Sequence, residues 1–124
     1  MFSLALKAFT ELLRINPLLA RGDFPAIHKL VRSCPVATNR RSGPRADQLA
    51  AAVDRACIWF WKEVSCLHRA AATVCLLRKH GVAAELVIGA QAIPFKAHAW
   101  VEVGGQAIND KPDISQIYPV LERC

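Results

Sequence analysis

A thiol at the start of one predicted helix, an imidazole in a predicted strand and a carboxylate shortly after it are the residues here whose types and spacing suit covalent chemistry: Cys66, His98 and Asp110. Ser65 has the side chain of a helix N-cap, which places Cys66 in the first turn. Unsatisfied backbone N–H groups and the positive end of the helix dipole there favour the thiolate, the nucleophilic form of cysteine. The same N–H groups suit the oxyanion of a tetrahedral intermediate. Position alone would leave Cys66 a buried structural cysteine, the role expected of Cys57 and Cys75. His98 changes that balance. Ala97 and Ala99 flank it and leave room for a thiol or a substrate, and an acid/base for a thiol needs hydrogen-bond reach and a third group to orient it. Asp110 is the expected orienter, with Glu102 a lesser rival.

The hairpin that carries these groups sets a condition. A two-residue turn at Gly104-Gly105 pairs Val103 with Gln106 and Ala99 with Asp110, so that His98 and Asp110 point to opposite faces. A three-residue loop pairs Trp100 with Asp110 and puts the two on one face as diagonal neighbours. The triad therefore predicts an odd loop or a one-residue bulge at the two glycines. The remaining histidines serve less well. His80 falls in a helix C-terminal turn, His68 lies on another side of the Cys66 turn, and His28 is isolated. No cluster has the spacing of a metal site, and no cofactor is expected. Trp59, Trp61 and Trp100 are expected to pack, and shielding the thiolate or lining a substrate groove is the alternative role for one of them.

The elements that must position these groups are helices first and strands later. Phe2, Ala5, Leu6, Phe9, Leu12 and Leu13 form one apolar helical face, which Asn16-Pro17 is expected to end. Asp23 caps a short second helix with Pro25 in its first turn. Cys34 to Arg45 reads as a Pro/Gly/Arg-rich loop. A third helix runs from Ala46 to about Lys62, and a fourth follows Ser65, with basic residues in its last turn and Gly81 just past its end. Ala83 to Ile88, Ala97 to Val103 and Gln106 to Asp110 read as strands. The order predicts an α+β domain, with N-terminal helices packed on a small antiparallel sheet. One domain is expected over 1–124, with 1–45 a helical N-terminal part and 46–124 the catalytic part.

Composition agrees with a single globular domain: 124 residues, 53% hydrophobic and 21% charged. The 5 Cys include no CxxC pair, and the N-terminus lacks the features of a signal peptide, which points to the cytoplasm. No apolar run suits a membrane span. The net charge of +6 is spread along the chain, with one cluster at Arg40-Arg41 and Arg45. This reads first as a solvated basic surface; if it binds something, an acidic peptide or partner protein suits it better than nucleic acid, for which no stacking-aromatic, zinc-finger or helix-turn-helix pattern speaks.

The run from Ser65 to Asp110 resembles the transglutaminase-like leader peptidases of lasso-peptide biosynthesis, in their stand-alone form. The resemblance rests on Cys66-Leu67-His68-Arg69, on Leu76-Leu77-Arg78 with Gly81, on Leu86 to Gly89, on Pro94 to Glu102 and on Asp110. It is clearest over the second half of the chain. It implies a transglutaminase-like, papain-like cysteine protease fold, with Cys66 as nucleophile, His98 as general base and then acid, and Asp110 as orienter. It further implies that the substrate is a ribosomally made precursor, cut between leader and core by acyl-enzyme hydrolysis. The partners it implies are a small separate leader-recognition protein and a macrocyclase of asparagine-synthetase type. Acyl transfer to an amine, and a non-catalytic peptide-binding domain, are the alternative readings.

Overall fold

A computed structural model describes residues 4–36, 45–60, 64–92, 94–108, 110 and 113–124. Four helices come first: α1 (Leu4–Ala20), α2 (Phe24–Ser33), α3 (Ala46–Trp59) and α4 (Cys66–Lys79). Strands β1 (Ala84–Gln91), β2 (Lys96–Val103) and β3 (Gln106–Ile108), the short helix α5 (Ile114–Ile117) and β4 (Val120–Arg123) complete the chain. The sheet is antiparallel with strand order β3-β2-β1-β4, so the fold is α+β, as the sequence predicts.

α4 is the centre of the molecule. Its residues Ala70 to Leu77 are all buried, because α1 and α3 cover it on one side and β1 and β2 on another. Small side chains at Ala70, Ala71 and Ala72 allow that close approach from several directions, while alanine also favours the helix itself. Leu12 and Ile15 of α1, Leu49 and Val53 of α3, and Leu86, Ala99 and Val101 of the sheet close one continuous core around it. The far face of the sheet has its own smaller cluster, in which Val87, Trp100 and Ile114 are joined by Tyr118 and Val120.

Three local features differ from the expectations. α1 continues through Pro17 to Ala20 instead of ending at Asn16-Pro17. Leu18 and Leu19 pack against the core, and their burial offsets the one helical hydrogen bond that proline removes. The stop comes later, where Gly22 at φ +67° lets its own N–H bond Leu19 O and the Asp23 N–H bond Leu18 O. Second, β3 ends at Ile108, so the return strand is shorter than Gln106 to Asp110. Third, α5 and β4 follow where no element was expected. Asp23 caps α2 as predicted, its carboxylate accepting from the Ala26 N–H at 3.2 Å. The third helix ends at Trp59, with Phe60 extended at its C-cap, short of the expected Lys62. The expected Cys34–Arg45 loop lies partly outside the described residues, and Arg40, Arg41 and Trp61 lie wholly outside them.

Candidate active site

The hairpin turn is the two-residue form. Val103 pairs with Gln106, and Gly104 and Gly105 take φ of +61° and +80°, the pair of left-handed conformations that such a turn needs. There is no odd loop and no bulge at the glycines. That part of the expectation is corrected, yet His98 and Asp110 still meet: Nε2 of His98 lies 2.7 Å from Oδ2 of Asp110. The alternation argument fails because it holds only while strands stay paired. Among the described residues β3 pairs only with Val101 to Val103, and no described strand lies beside His98 on that side of β2. Asp110 stands at a bend beyond β3, and its carboxylate reaches His98 there.

Two aromatic rings fix the imidazole. The indole of Trp100 stacks beside it at 5.9 Å between centroids, and the Tyr118 ring lies at 5.3 Å. Trp100 is anchored in turn, donating from Nε1 to Oε2 of Glu102 at 2.9 Å, while Arg123 pairs with the other carboxylate oxygen. Burial works to raise the Glu102 carboxyl, but the hydrogen bonds from Arg123 and Trp100 prevail and hold it below the ordinary carboxylate range. Glu102 is therefore the anchor of Trp100 and not a rival orienter of His98. Opposite His98 on β1 stands Gly89, where a Cβ would lie 2.6 Å from Tyr118 O and 2.7 Å from the Trp100 ring. Only glycine fits between the Tyr118–Pro119 backbone and the Trp100 ring.

The Asp110 carboxylate accepts the Nε2–H of His98, which leaves Nδ1 as the basic nitrogen, and Nδ1 makes no hydrogen bond to a described residue. At the start of α4, Ser65 is the N-cap: its Oγ accepts from the His68 N–H at 3.2 Å, and its carbonyl accepts from the Arg69 N–H at 3.0 Å. The N–H groups of Cys66 and Leu67 make no hydrogen bond among the described residues. Cys66 is half-buried, and its thiol is free of disulfides.

The structure thus joins His98 to Asp110 and leaves Cys66 without a hydrogen bond to either. Strand alternation puts His98 on the Trp100 face, whereas α4 covers the face of Ala99 and Val101. Asp110, bonded to His98, also lines a crevice of about 10 Å³ with Arg69 and Ala70 of α4.

The other cysteines and histidines serve the fold. Cys34 and Cys75 are buried with their sulfurs 3.0 Å apart, and burial, ahead of the Cys34 contact, pushes the Cys75 thiol well up. Burial, and then the Asp54 carboxylate, raises the half-buried Cys57. His68 is 1% exposed and bonds Leu12 O at 2.7 Å through Nε2. His80 donates from Nδ1 to Leu76 O, and His28 lies 3.1 Å from Glu122. Among the described residues no group of three His, Cys, Asp or Glu side chains is disposed to hold a metal ion. Trp59 is 80% exposed, against the expectation that it packs. Tyr118 was missed by sequence reasoning, since it lies beyond the recognisable strands.

A helix opening on a cysteine, packed on a sheet that carries a histidine–aspartate pair, defines a class of protein. The chain belongs to the transglutaminase-like superfamily, which it matches over residues 10–123. Over 56 residues it is 47% identical to the microcin J25-processing protein McjB of Escherichia coli. That stretch covers 45% of this chain and 27% of McjB, so the similarity spans about a quarter of the relative's length. No solved structure matches the chain. Among the described residues no helix is long and apolar enough to cross a membrane.

Proposed function

We propose that this protein is a cysteine peptidase that removes the leader from a ribosomally made lasso-peptide precursor. The observation that carries the reading is the 2.7 Å bond between His98 and Asp110, on a sheet packed against the helix that Cys66 begins. The similarity to a protein named for processing microcin J25 supports a peptide as substrate.

In this mechanism Nδ1 of His98 takes the thiol proton while Nε2 stays bonded to Asp110, and the Cys66 sulfur attacks the scissile carbonyl. The N–H of Cys66 donates to the oxyanion. His98 then gives its proton to the leaving amine, the C–N bond breaks, and an acyl thioester remains on Cys66. Water, deprotonated by His98, releases the leader as a carboxylate and restores the thiol. The thiol–imidazole hydrogen bond forms when the peptide binds, as catalytic hydrogen bonds commonly tighten only in the substrate complex. A small leader-recognition protein presents the precursor, and an asparagine-synthetase-type macrocyclase takes the freed amine.

The test is to incubate the protein with the precursor peptide encoded beside its gene and the candidate leader-binding partner, and to read the products by mass spectrometry. The expected result is one cut at the leader–core junction that disappears in Cys66→Ala. Precursor joined to an added amine would assign acyl transfer instead. Absence of any product from folded protein would leave a peptide-binding domain.

A further inference from the structure

Two thiols that the proposed chemistry does not use meet in the core. Cys34 closes α2 and Cys75 lies within α4, 41 residues further along the chain, yet their sulfurs are 3.0 Å apart. A disulfide bond is about 2.05 Å long, so the two sulfurs need approach by only about 1 Å more. The backbone around them is held independently of the sulfurs. The Cys34 N–H donates to Val31 O at 3.2 Å. Arg78, on the same face of α4 as Cys75, donates to both Val31 O and Cys34 O. We propose that Cys34 and Cys75 are a disulfide-forming pair: a peroxide joins them, and the bond clamps the end of α2 to α4. The proposal does not depend on the peptidase reading above.

The oxidant reaches the pair from the Cys34 side. Cys34 is 8% exposed and lines a groove of about 370 Å³ with Arg14, Ser33, Pro35 and Lys79, whereas Cys75 is fully buried. Burial, ahead of the Cys34 contact, pushes the Cys75 thiol well up and keeps it protonated, so Cys34 is the sulfur that reacts first. Its thiolate attacks one oxygen of hydrogen peroxide, the O–O bond breaks, and the departing hydroxide takes up the thiol proton as water. Cys34 then carries a sulfenic acid. The Cys75 sulfur attacks the Cys34 sulfur, the S–O bond breaks, and the hydroxyl leaves with the Cys75 proton as a second water. Two electrons pass from the two thiols to one peroxide. Cys66 stays outside this exchange, because it begins α4 about 13.5 Å along the axis from Cys75 and half a turn round the helix. The bond closes a stretch of 41 residues, so it restricts the unfolded chain more than the folded one and stabilises the fold.

The experiment treats the folded full chain with a small excess of hydrogen peroxide, as wild type and as Cys66→Ala, which keeps the exposed-side thiol out of the reaction. The protein is then unfolded, its free thiols are alkylated, and the digest is mapped by mass spectrometry. The expected product joins the Cys34 peptide to the Cys75 peptide in both proteins. Of the four cysteines left in Cys66→Ala, only Cys57 and Cys124 should then be alkylated. The thermal midpoint should rise by at least about 5 °C on oxidation, return with dithiothreitol, and not rise in Cys34→Ala. If Cys34→Ala does not fold, the oxidised and dithiothreitol-reduced forms of Cys66→Ala supply that comparison. Both thiols alkylated as in untreated protein would overturn the proposal. So would either sulfur joined to Cys57 or Cys124 instead, or Cys34 driven to a sulfinic acid beside a free Cys75. A Cys34–Cys75 bond that leaves the midpoint unchanged or lower would overturn the clamp.

Discussion

The two ends of α4 close the same helix in opposite ways. At its C-terminal end nearly every group has a partner. Gly81 at φ +82° ends the helix, and the Val82 N–H returns to Leu77 O at 3.0 Å. His80 bonds Leu76 O, and Lys79 pairs with the buried carboxylate of Glu11, itself 2.8 Å from Arg14. Arg78 donates to Ala84 O at 3.0 Å, Val31 O at 2.5 Å and Cys34 O at 3.4 Å, tying α2 and β1 to the helix. At the N-terminal end Ser65 satisfies one N–H with its side chain, and the N–H groups of Cys66 and Leu67 have no partner among the described residues. A helix end stripped of partners stabilises little and keeps donors for a substrate. A helix end whose groups are engaged by partners holds three elements together. The comparison teaches that stability and the proposed chemistry are segregated along one helix.

The largest test of that segregation is on the proposed catalytic side. Asp110→Asn should lower leader removal by about 10²–10⁴-fold, because Asn no longer holds the proton on Nε2 and the basic lone pair on Nδ1. Its urea midpoint should stay close to that of the wild type. A variant that lost stability in proportion to activity would make Asp110 a structural residue. The converse test is Arg78→Ala. Three carbonyls lose a charged donor, so stability should fall by about 3 kcal/mol in urea unfolding, with activity per folded molecule unchanged. A selective loss of activity in Arg78→Ala would break the division between the ends.

Glu102→Gln sharpens the comparison at the sheet, where anchoring and chemistry come closest. The folded-state carboxyl of Glu102 is held below its unfolded value, so its charge stabilises the fold fully above the unfolded pKa of about 4.3 and progressively less as pH falls through the folded value. At pH 7 the variant should be less stable by about 1–2 kcal/mol, and the gap should narrow towards zero below about pH 4. The measurement is a series of urea midpoints against pH. A gap that does not depend on pH would mean that packing around Trp100, and not the ionised pair with Arg123, is what Glu102 supplies.

Much of this was legible in the sequence, and the failures have physical causes. The N-caps at Ser65 and Asp23, the basic last turn of α4 and the Gly-Gly turn could be read because each depends on a few adjacent residues. His98 and Asp110 were paired correctly in space, but through a register that the structure does not have. Alternation is a rule for paired strands, and no local pattern announces that Asp110 leaves the ladder for a bend. Pro17 was read as a stop because the compensation, burial of Leu18 and Leu19, is tertiary. Glu11 shows the same limit. Its spacing with Lys7 and Arg14 suits a solvated face, yet it is 3% exposed because Lys79, distant in sequence, comes to meet it. Tyr118 and β4 were missed because a four-residue strand behind a one-turn helix shows no period.

The smallest effect is the most discriminating. Ser65→Ala removes the cap from the His68 N–H, a loss of about 1 kcal/mol at a helix N-terminus. If α4 were equally cooperative at both ends, that loss would spread over the helix and appear only as lower stability. The C-terminal end, however, is tied down by Arg78, Lys79 and His80, and His68 itself is fixed by its bond to Leu12 O. Disorder introduced by the variant is therefore confined to the turn that begins with Cys66 and Leu67. The position of the thiol and of the two open N–H groups should loosen while the rest of the helix stays intact. The expected outcome is a drop of about 1 kcal/mol in urea unfolding together with a fall in kcat larger than about fivefold, the factor that the same free energy would give. Amide hydrogen exchange should quicken at Leu67 to Arg69 and remain slow from Val74 to Leu77. Equal quickening along the whole helix would show that its two ends are coupled and that the segregation is only apparent.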